Sequence, residues 1–76
     1  MKLSELKKGD IATIQLINAS DDLKRRLNSF GVVRGSVLSV EAYSLANKTI
    51  EIMVDDTLIG LRSIEAENIE VEKHNG

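Results

Sequence analysis

The main cluster of positive charge in this chain of 76 residues is the run Lys24-Arg25-Arg26, and Arg34 follows it. Such a cluster is either a solvated helix face or a docking patch for an acidic partner surface. Asp21 and Asp22 precede the run and partly balance it, so local charge does not decide between the two interpretations. A solvated helix face is the ordinary interpretation of such a run, and a docking patch is the functional alternative.

Residues that usually catalyse reactions or bind metals are scarce. The chain has one histidine, His74, and no cysteine, which excludes a thiolate nucleophile, a histidine dyad and a cysteine or multi-histidine metal site. We expect His74 to lie in an exposed tail. The pairs Asp21-Asp22 and Asp55-Asp56 fit a helix start and a hairpin turn, because adjacent side chains diverge and do not chelate an ion alone. We therefore expect no enzyme, no cofactor and no metal site.

Gly31 and Gly35 enclose the segment Val32-Val33-Arg34, but this is not a phosphate-binding loop. It lacks the lysine and hydroxyl of that motif, and the predicted helix precedes the glycines instead of following them. Backbone turning explains both glycines.

Composition predicts one small soluble domain over residues 1–76, since 42% of the residues are hydrophobic and 29% are charged. A net charge of −2 and 3% aromatic residues disfavour binding to phosphate backbones and stacking on bases. No stretch approaches the ~18 apolar residues of a membrane span, and the N-terminus lacks the apolar core of a signal peptide. We expect a cytoplasmic protein that binds no nucleic acid and does not insert into membranes.

One helix is predicted over residues 21–30. Leu23, Leu27 and Phe30 recur at helical spacing, so they can lie on the core. Ser20 is suited to cap the helix N-terminus.

Alternating apolar residues predict five short strands, at residues 11–17, 37–43, 49–54, 57–62 and 68–72. The residues predicted to face the core are Ala12, Ile14, Leu16, Leu38, Val40, Ala42, Ile50, Ile52, Val54, Ile59, Leu61, Ile69 and Val71. Residues 63–66 fit a single helical turn, residues 44–48 a loop with Asn47 in a turn, and residues 73–76 a disordered tail.

This order of elements predicts a mainly all-β fold, a small SH3-like barrel of about five strands with one short helix inserted after the first strand. An OB-fold is the nearest alternative, but it normally inserts its helix later in the strand order. Exposed strand edges in such a barrel leave homo-oligomers open.

Several apolar side chains are predicted to point away from the core. Tyr43, Met53 and Leu58 fall on the opposite face of their strands, and Ile64 lies in the turn before the last strand. If they cluster, they form an interface for a partner.

The segment Arg26-Leu27-Asn28-Ser29-Phe30-Gly31-Val32-Val33-Arg34-Gly35 resembles R-L-x-x-L-G-L-x-P-G, the signature of the FeoA family of bacterial ferrous iron transport. Leu6-Lys7-Lys8-Gly9-Asp10 and Ile59-Gly60-Leu61-Arg62 fit the same family, and the resemblance covers residues 3–72. Phe30 replaces an aliphatic residue and should be tolerated in a core, while Arg34 replaces a common proline and adds a positive charge.

The resemblance implies an SH3-like barrel that acts as a cytoplasmic accessory to FeoB, the membrane transporter with a GTP-binding domain. It would dock on the cytosolic part of FeoB and modulate its assembly or GTP-dependent activity. The family is loosely associated with transition metal ion binding, although this sequence offers no iron ligand set. The candidate partner contacts are Lys24, Arg25, Arg26 and Arg34 by charge, and Tyr43, Met53, Leu58 and Ile64 by exposure.

The same barrel is found as the C-terminal domain of iron- or manganese-responsive transcription repressors. A protein-interaction domain of that type is the alternative function, and it would require an N-terminal DNA-binding winged helix.

Overall fold

The computed structural model describes residues 1–46 and 48–75. A 3₁₀ turn, Leu3–Glu5, precedes the sheet. The strands are β1 (Ile11–Ile17), β2 (Val37–Ser44), β3 (Thr49–Val54), β4 (Thr57–Arg62) and β5 (Ile69–Lys73), and the helices are α1 (Asp21–Ser29) and α2 (Ser63–Ala66). The helix inserted after the first strand and the short helical turn before the last are both where the sequence predicts them.

The strands form one antiparallel sheet in the order β4-β3-β2-β1-β5. The sheet curls around a single core, within overall dimensions of 29 × 29 × 23 Å. This is the arrangement that the predicted SH3-like barrel requires. None of the helices in the described part of the chain is long and apolar enough to cross a membrane.

The core is aliphatic and comes from every strand. Most of the residues predicted to face inward are buried, namely Ala12, Ile14, Leu38, Val40, Ile50, Ile52, Val54, Ile59, Leu61, Ile69 and Val71. Leu3 and Leu6, near the N-terminus, join them, as do Leu23 and Leu27 on α1.

The C-terminus of α1 corrects the prediction for Phe30. Gly31 has a positive φ of 80°, its N–H donates to the Asn28 carbonyl, and the Val32 N–H donates to the Leu27 carbonyl. This pair of bonds is a Schellman motif, which reverses the chain and packs the residue after the glycine against the helix. Val32 is therefore fully buried, whereas Phe30 is 45% exposed. Phe30 does not belong to the core.

A bulge in β1 corrects the prediction for Leu16. Ile14 pairs with Val71 and Leu16 pairs with Glu70, so one residue of β1 has no counterpart on β5. An extra residue on one strand inverts the alternation beyond it. Leu16 consequently points outward and is 53% exposed, while Ile17 packs against the core in its place.

A second bulge, in β2, has the same effect on Ala42 and Tyr43. The register shifts between Val40 and Ala42, so that Ala42 lies opposite Glu51 and Tyr43 lies opposite Ile50. Since cross-strand partners share a face, Tyr43 lies on the inner side of the sheet, near its end. The predicted faces of Ala42 and Tyr43 are therefore wrong, although Tyr43 is 39% exposed, as predicted, and Ala42 is half-buried.

The last strand extends one residue beyond the predicted one. Lys73 pairs with Ala12, and the His74 N–H donates to the Ile11 carbonyl. The ladder to β1 thus includes part of the segment predicted to be a disordered tail, and that prediction is wrong for Lys73. Asn47, predicted to occupy a turn, lies outside the described residues.

Candidate docking surfaces

The first candidate surface is a groove between α1, the end of β1 and the turn before β2. It is concave, with a volume of about 210 Å³. Its lining residues are Leu16, Ile17, Lys24, Asn28, Val33 and Arg34, and we call it the α1 groove. It brings together two of the predicted docking cations, Lys24 and Arg34.

The walls of the groove are formed by the β1 bulge, one side of α1 and the turn that follows α1. The β1 bulge exposes Leu16 and leaves Ile17 half-buried as a floor. Lys24 and Asn28 lie on one side of α1 because they are four residues apart. The Schellman turn buries Val32 and leaves the next residue, Val33, 47% exposed.

The groove combines apolar surface with positive charge. None of its lining residues is acidic. Lys24 and Arg34 take part in none of the ion pairs formed within the described residues. Two unpaired cations beside exposed Leu16 and Val33 are suited to a partner that presents an apolar side chain flanked by carboxylates.

Arg26 is paired within the fold, although its side chain is 45% exposed. Its Nη2 donates to both carboxylate oxygens of Glu65, at 2.9 and 3.0 Å. Glu65 also accepts the Arg62 backbone N–H at 2.9 Å and lies 3.4 Å from the Arg62 guanidinium. Arg25, which precedes Arg26 in the chain, is exposed and does not line the α1 groove.

This network sets the charge of Glu65, whose side chain is buried. Burial raises the pKa of the carboxyl group, but the hydrogen bond from the Arg62 backbone and the adjacent Arg26 guanidinium outweigh it and hold the pKa below its usual range. Glu65 is therefore ionised at neutral pH, and it joins α1 to α2.

The four apolar side chains predicted as partner contacts do not form one cluster. Met53 and Leu58 are cross-strand partners on the outer face of the sheet. Tyr43 is not with them, since its hydroxyl donates to the Ser4 carbonyl at 3.3 Å. Ile64 is 61% exposed on α2 and lines a shallow depression with Lys48 and Arg62.

His74 is exposed, as predicted, but has a polar contact. Its Nε2 lies 2.7 Å from the Thr13 hydroxyl. In residues 1–46 and 48–75, no three histidine, cysteine or acidic side chains lie close enough together to hold a metal ion.

Four groove residues, Leu16, Ile17, Asn28 and Val33, were not among the predicted contacts. Alternation placed Leu16 in the core, and only the register with β5 shows the bulge that exposes it. The sequence does indicate that one of Val32 and Val33 is exposed, because two adjacent valines between turn glycines cannot both face the same core.

The architecture defines the class of protein. A small curled antiparallel sheet with a helix after its first strand is the fold of SH3-like barrel proteins. The zinc complex of FeoA from Stenotrophomonas maltophilia, described as a prokaryotic SH3 domain protein, shares it with a TM-score of 0.76 and 30% identity, over 95% of this chain and 89% of that one. The predicted SH3-like fold is confirmed.

The family follows from the sequence. A family model described as FeoA domain matches residues 1–73, and the chain belongs to the FeoA family. A presumed Fe(2+) transport protein A of Campylobacter jejuni is 45% identical over 71 residues, which are 93% of this chain and 96% of that protein. The solution structure of FeoA from Chlorobium tepidum is 41% identical, with a TM-score of 0.88, over 93% of this chain and 68% of that one. This is thus a protein associated with ferrous iron transport.

Metal-dependent repressors contain a similar barrel. A manganese-dependent transcriptional repressor in complex with manganese matches with a TM-score of 0.87 and 26% identity. The match covers 97% of this chain but 36% of the repressor, so the likeness is to one part of that protein.

Proposed function

We propose that this protein is a non-catalytic, cytoplasmic docking module of ferrous iron transport. It binds the cytosolic part of a FeoB-type transporter through the α1 groove and modulates the transporter's assembly or its GTP-dependent activity. The observation that carries the proposal is the groove itself, in which Lys24 and Arg34 flank exposed Leu16 and Val33 without an acidic neighbour in the lining. Membership of the FeoA family supports the choice of partner.

The geometry sets the expected chemistry of the contact. The groove is shallow, so it receives one apolar side chain rather than a whole helix. Carboxylates of the transporter pair with Lys24 and Arg34, and affinity falls as salt screens these exposed pairs. Asn28 supplies an amide that can donate to or accept from a backbone group of the partner.

The test is binding of purified protein to the cytosolic domain of its FeoB-type transporter, measured by calorimetry for charge-reversal variants. Lys24→Glu and Arg34→Glu should each weaken binding roughly 3- to 10-fold, as expected for exposed ion pairs at an interface rim. Arg25→Glu is the matched control, since it makes the same charge change on the same helix but outside the groove. Equal losses for all three variants would indicate non-specific attraction and contradict the proposed site.

A second pair of variants tests the apolar part of the contact. Leu16 and Leu58 are 53% and 54% exposed, so replacing either with serine costs the fold little. Leu16→Ser should weaken transporter binding, whereas Leu58→Ser, on the outer sheet face, should leave it unchanged.

The alternative function, a protein-interaction domain of the repressor type, is favoured by the manganese-dependent repressor likeness. It predicts that the barrel binds another segment of a regulatory protein and has no affinity for the transporter. The same calorimetric titration separates the two functions.

A further inference from the structure

The two edges of the sheet differ in how they are covered. At β5, Met1 exchanges backbone hydrogen bonds with Val71, since its carbonyl accepts the Val71 N–H at 2.7 Å and its amino group donates to the Val71 carbonyl at 3.0 Å. Lys2 adds a bridge to Glu70. The other edge, β4, has no strand beside it in the described part of the chain. It also lacks the lysine, proline or bulge that usually protects an edge.

The turn before β4 determines which backbone groups point outward. Asp55 and Asp56 form a two-residue turn with φ of 47° and 66°, and the pair that closes such a hairpin, Val54 and Thr57, is hydrogen-bonded. Bonding then alternates along an antiparallel ladder. Leu58 and Gly60 therefore direct their N–H and C=O groups away from β3, toward the open edge.

One row of residues on the outer face next to this edge is mainly apolar. Pairing through β1, β2, β3 and β4 aligns Ile11, Ser39, Met53 and Leu58 in one row across the sheet. Leu58 is 54% exposed at the end of the row. Two residues on, Gly60 leaves open space, because a Cβ built there meets nothing within 4 Å.

We propose that β4 pairs antiparallel with β4 of a second copy of this chain, about a two-fold axis at Ile59. Each Leu58 then lies opposite the partner's Gly60, and the two residues exchange backbone hydrogen bonds. The Leu58 side chain covers the space that the glycine leaves, and the apolar row continues from one sheet into the next.

Charge favours this register over the neighbouring one about Gly60. Pairing about Ile59 places Asp56 opposite the partner's Arg62, and the symmetry gives two such ion pairs. A register shifted by two residues, about Gly60, places Leu58 opposite Arg62 and leaves Asp56 facing no cation. Arg62 is able to respond, since its side chain is 67% exposed and its guanidinium lies a long 3.4 Å from Glu65.

The first test is sedimentation equilibrium of the wild-type protein and of Gly60→Val up to millimolar concentration. The wild type should show a reversible monomer–dimer equilibrium. Valine favours strands and has room at position 60 in the monomer, but its side chain occupies the place of the partner's Leu58. Gly60→Val should therefore be folded, by its circular dichroism spectrum, and monomeric. A wild type that stays monomeric, or a folded Gly60→Val that dimerises as well as wild type, would overturn the proposal.

The second test addresses the register. Asp56→Asn should weaken the dimer about 2- to 10-fold, since it removes two exposed ion pairs, and asparagine tolerates the positive φ of the turn. Asp55→Asn is the matched control, with the same charge change one residue away and no arginine opposite. Equal dissociation constants for the two variants would show that the register is wrong.

Discussion

At the scale of single residues, the carboxyl group of Glu65 determines which arginines are paired within the fold. It is the one buried charged residue in the described part of the chain, and it holds Arg26 at 2.9 Å. Removing one partner of a buried ion pair is strongly destabilising, because it leaves an uncompensated buried charge. The sequence alone placed Arg26 beside Lys24 and Arg25 as equal candidates, and the fold separates them.

Replacing Glu65 with glutamine should lower the free energy of unfolding by about 1–3 kcal/mol at pH 7, because two arginines lose their common acceptor charge. The measurement is urea denaturation. Glu67→Gln makes the same charge change at an exposed position nearby, and it should stay within about 0.5 kcal/mol of wild type.

The pH dependence of stability gives a separate check on Glu65. Its pKa is lowered below the usual value of 4.5, so its ionised form stabilises the fold above that pH, and the contribution is lost as pH falls through the lowered pKa. The stability difference between wild type and Glu65→Gln should therefore shrink below about pH 4.5. A difference that stayed constant down to acidic pH would show that the carboxylate charge is not responsible.

Gly31 is the residue on which the end of α1 depends. Its φ of 80° is disfavoured for any residue with a Cβ. Gly31→Ala should cost about 1 kcal/mol in thermal or urea unfolding. Gly60→Ala is the control, since that glycine has no positive φ and open space around it, and we expect it to be neutral or slightly stabilising.

At the scale of elements, the sequence predicted the strands and the helix well because each has a clear period. It failed at Leu16, Ala42 and Tyr43 because a bulge depends on the register between two strands, which alternation within one strand does not contain. The prediction for Phe30 failed for another reason. The helical spacing of apolar residues continues in the sequence as far as Phe30, but the helix ends at Ser29. The groove arises from the β1 bulge and the turn after α1, so the sequence predicted its cations but not its apolar walls.

The end of α1 leads to a prediction about which residue belongs to the core, Val32 or Phe30. Val32→Ala removes fully buried methyl groups and should cost about 1–3 kcal/mol. Phe30→Ala deletes a larger side chain from a position that is 45% exposed, and it should cost less. Urea denaturation of both variants checks the order, and a larger loss for Phe30→Ala would return Phe30 to the core.

At the scale of the whole molecule, the two proposed surfaces are independent. None of the residues that line the α1 groove belongs to β4. A dimer through β4 therefore leaves these residues uncovered by strand pairing, and two grooves in one assembly would raise the apparent affinity for a transporter with two cytosolic domains. Arg34, which stands where the family commonly has proline, contributes one of the two groove cations.

The most direct test of the central claim is an NMR titration of labelled protein with the cytosolic domain of its FeoB-type transporter, with and without guanine nucleotide. We predict chemical-shift changes concentrated on Leu16, Lys24, Asn28, Val33 and Arg34, and smaller changes at the other four residues for the Arg34→Glu variant at the same concentration of the domain. Shifts on the β4 face alone, or no shifts under any nucleotide condition, would contradict docking through the α1 groove.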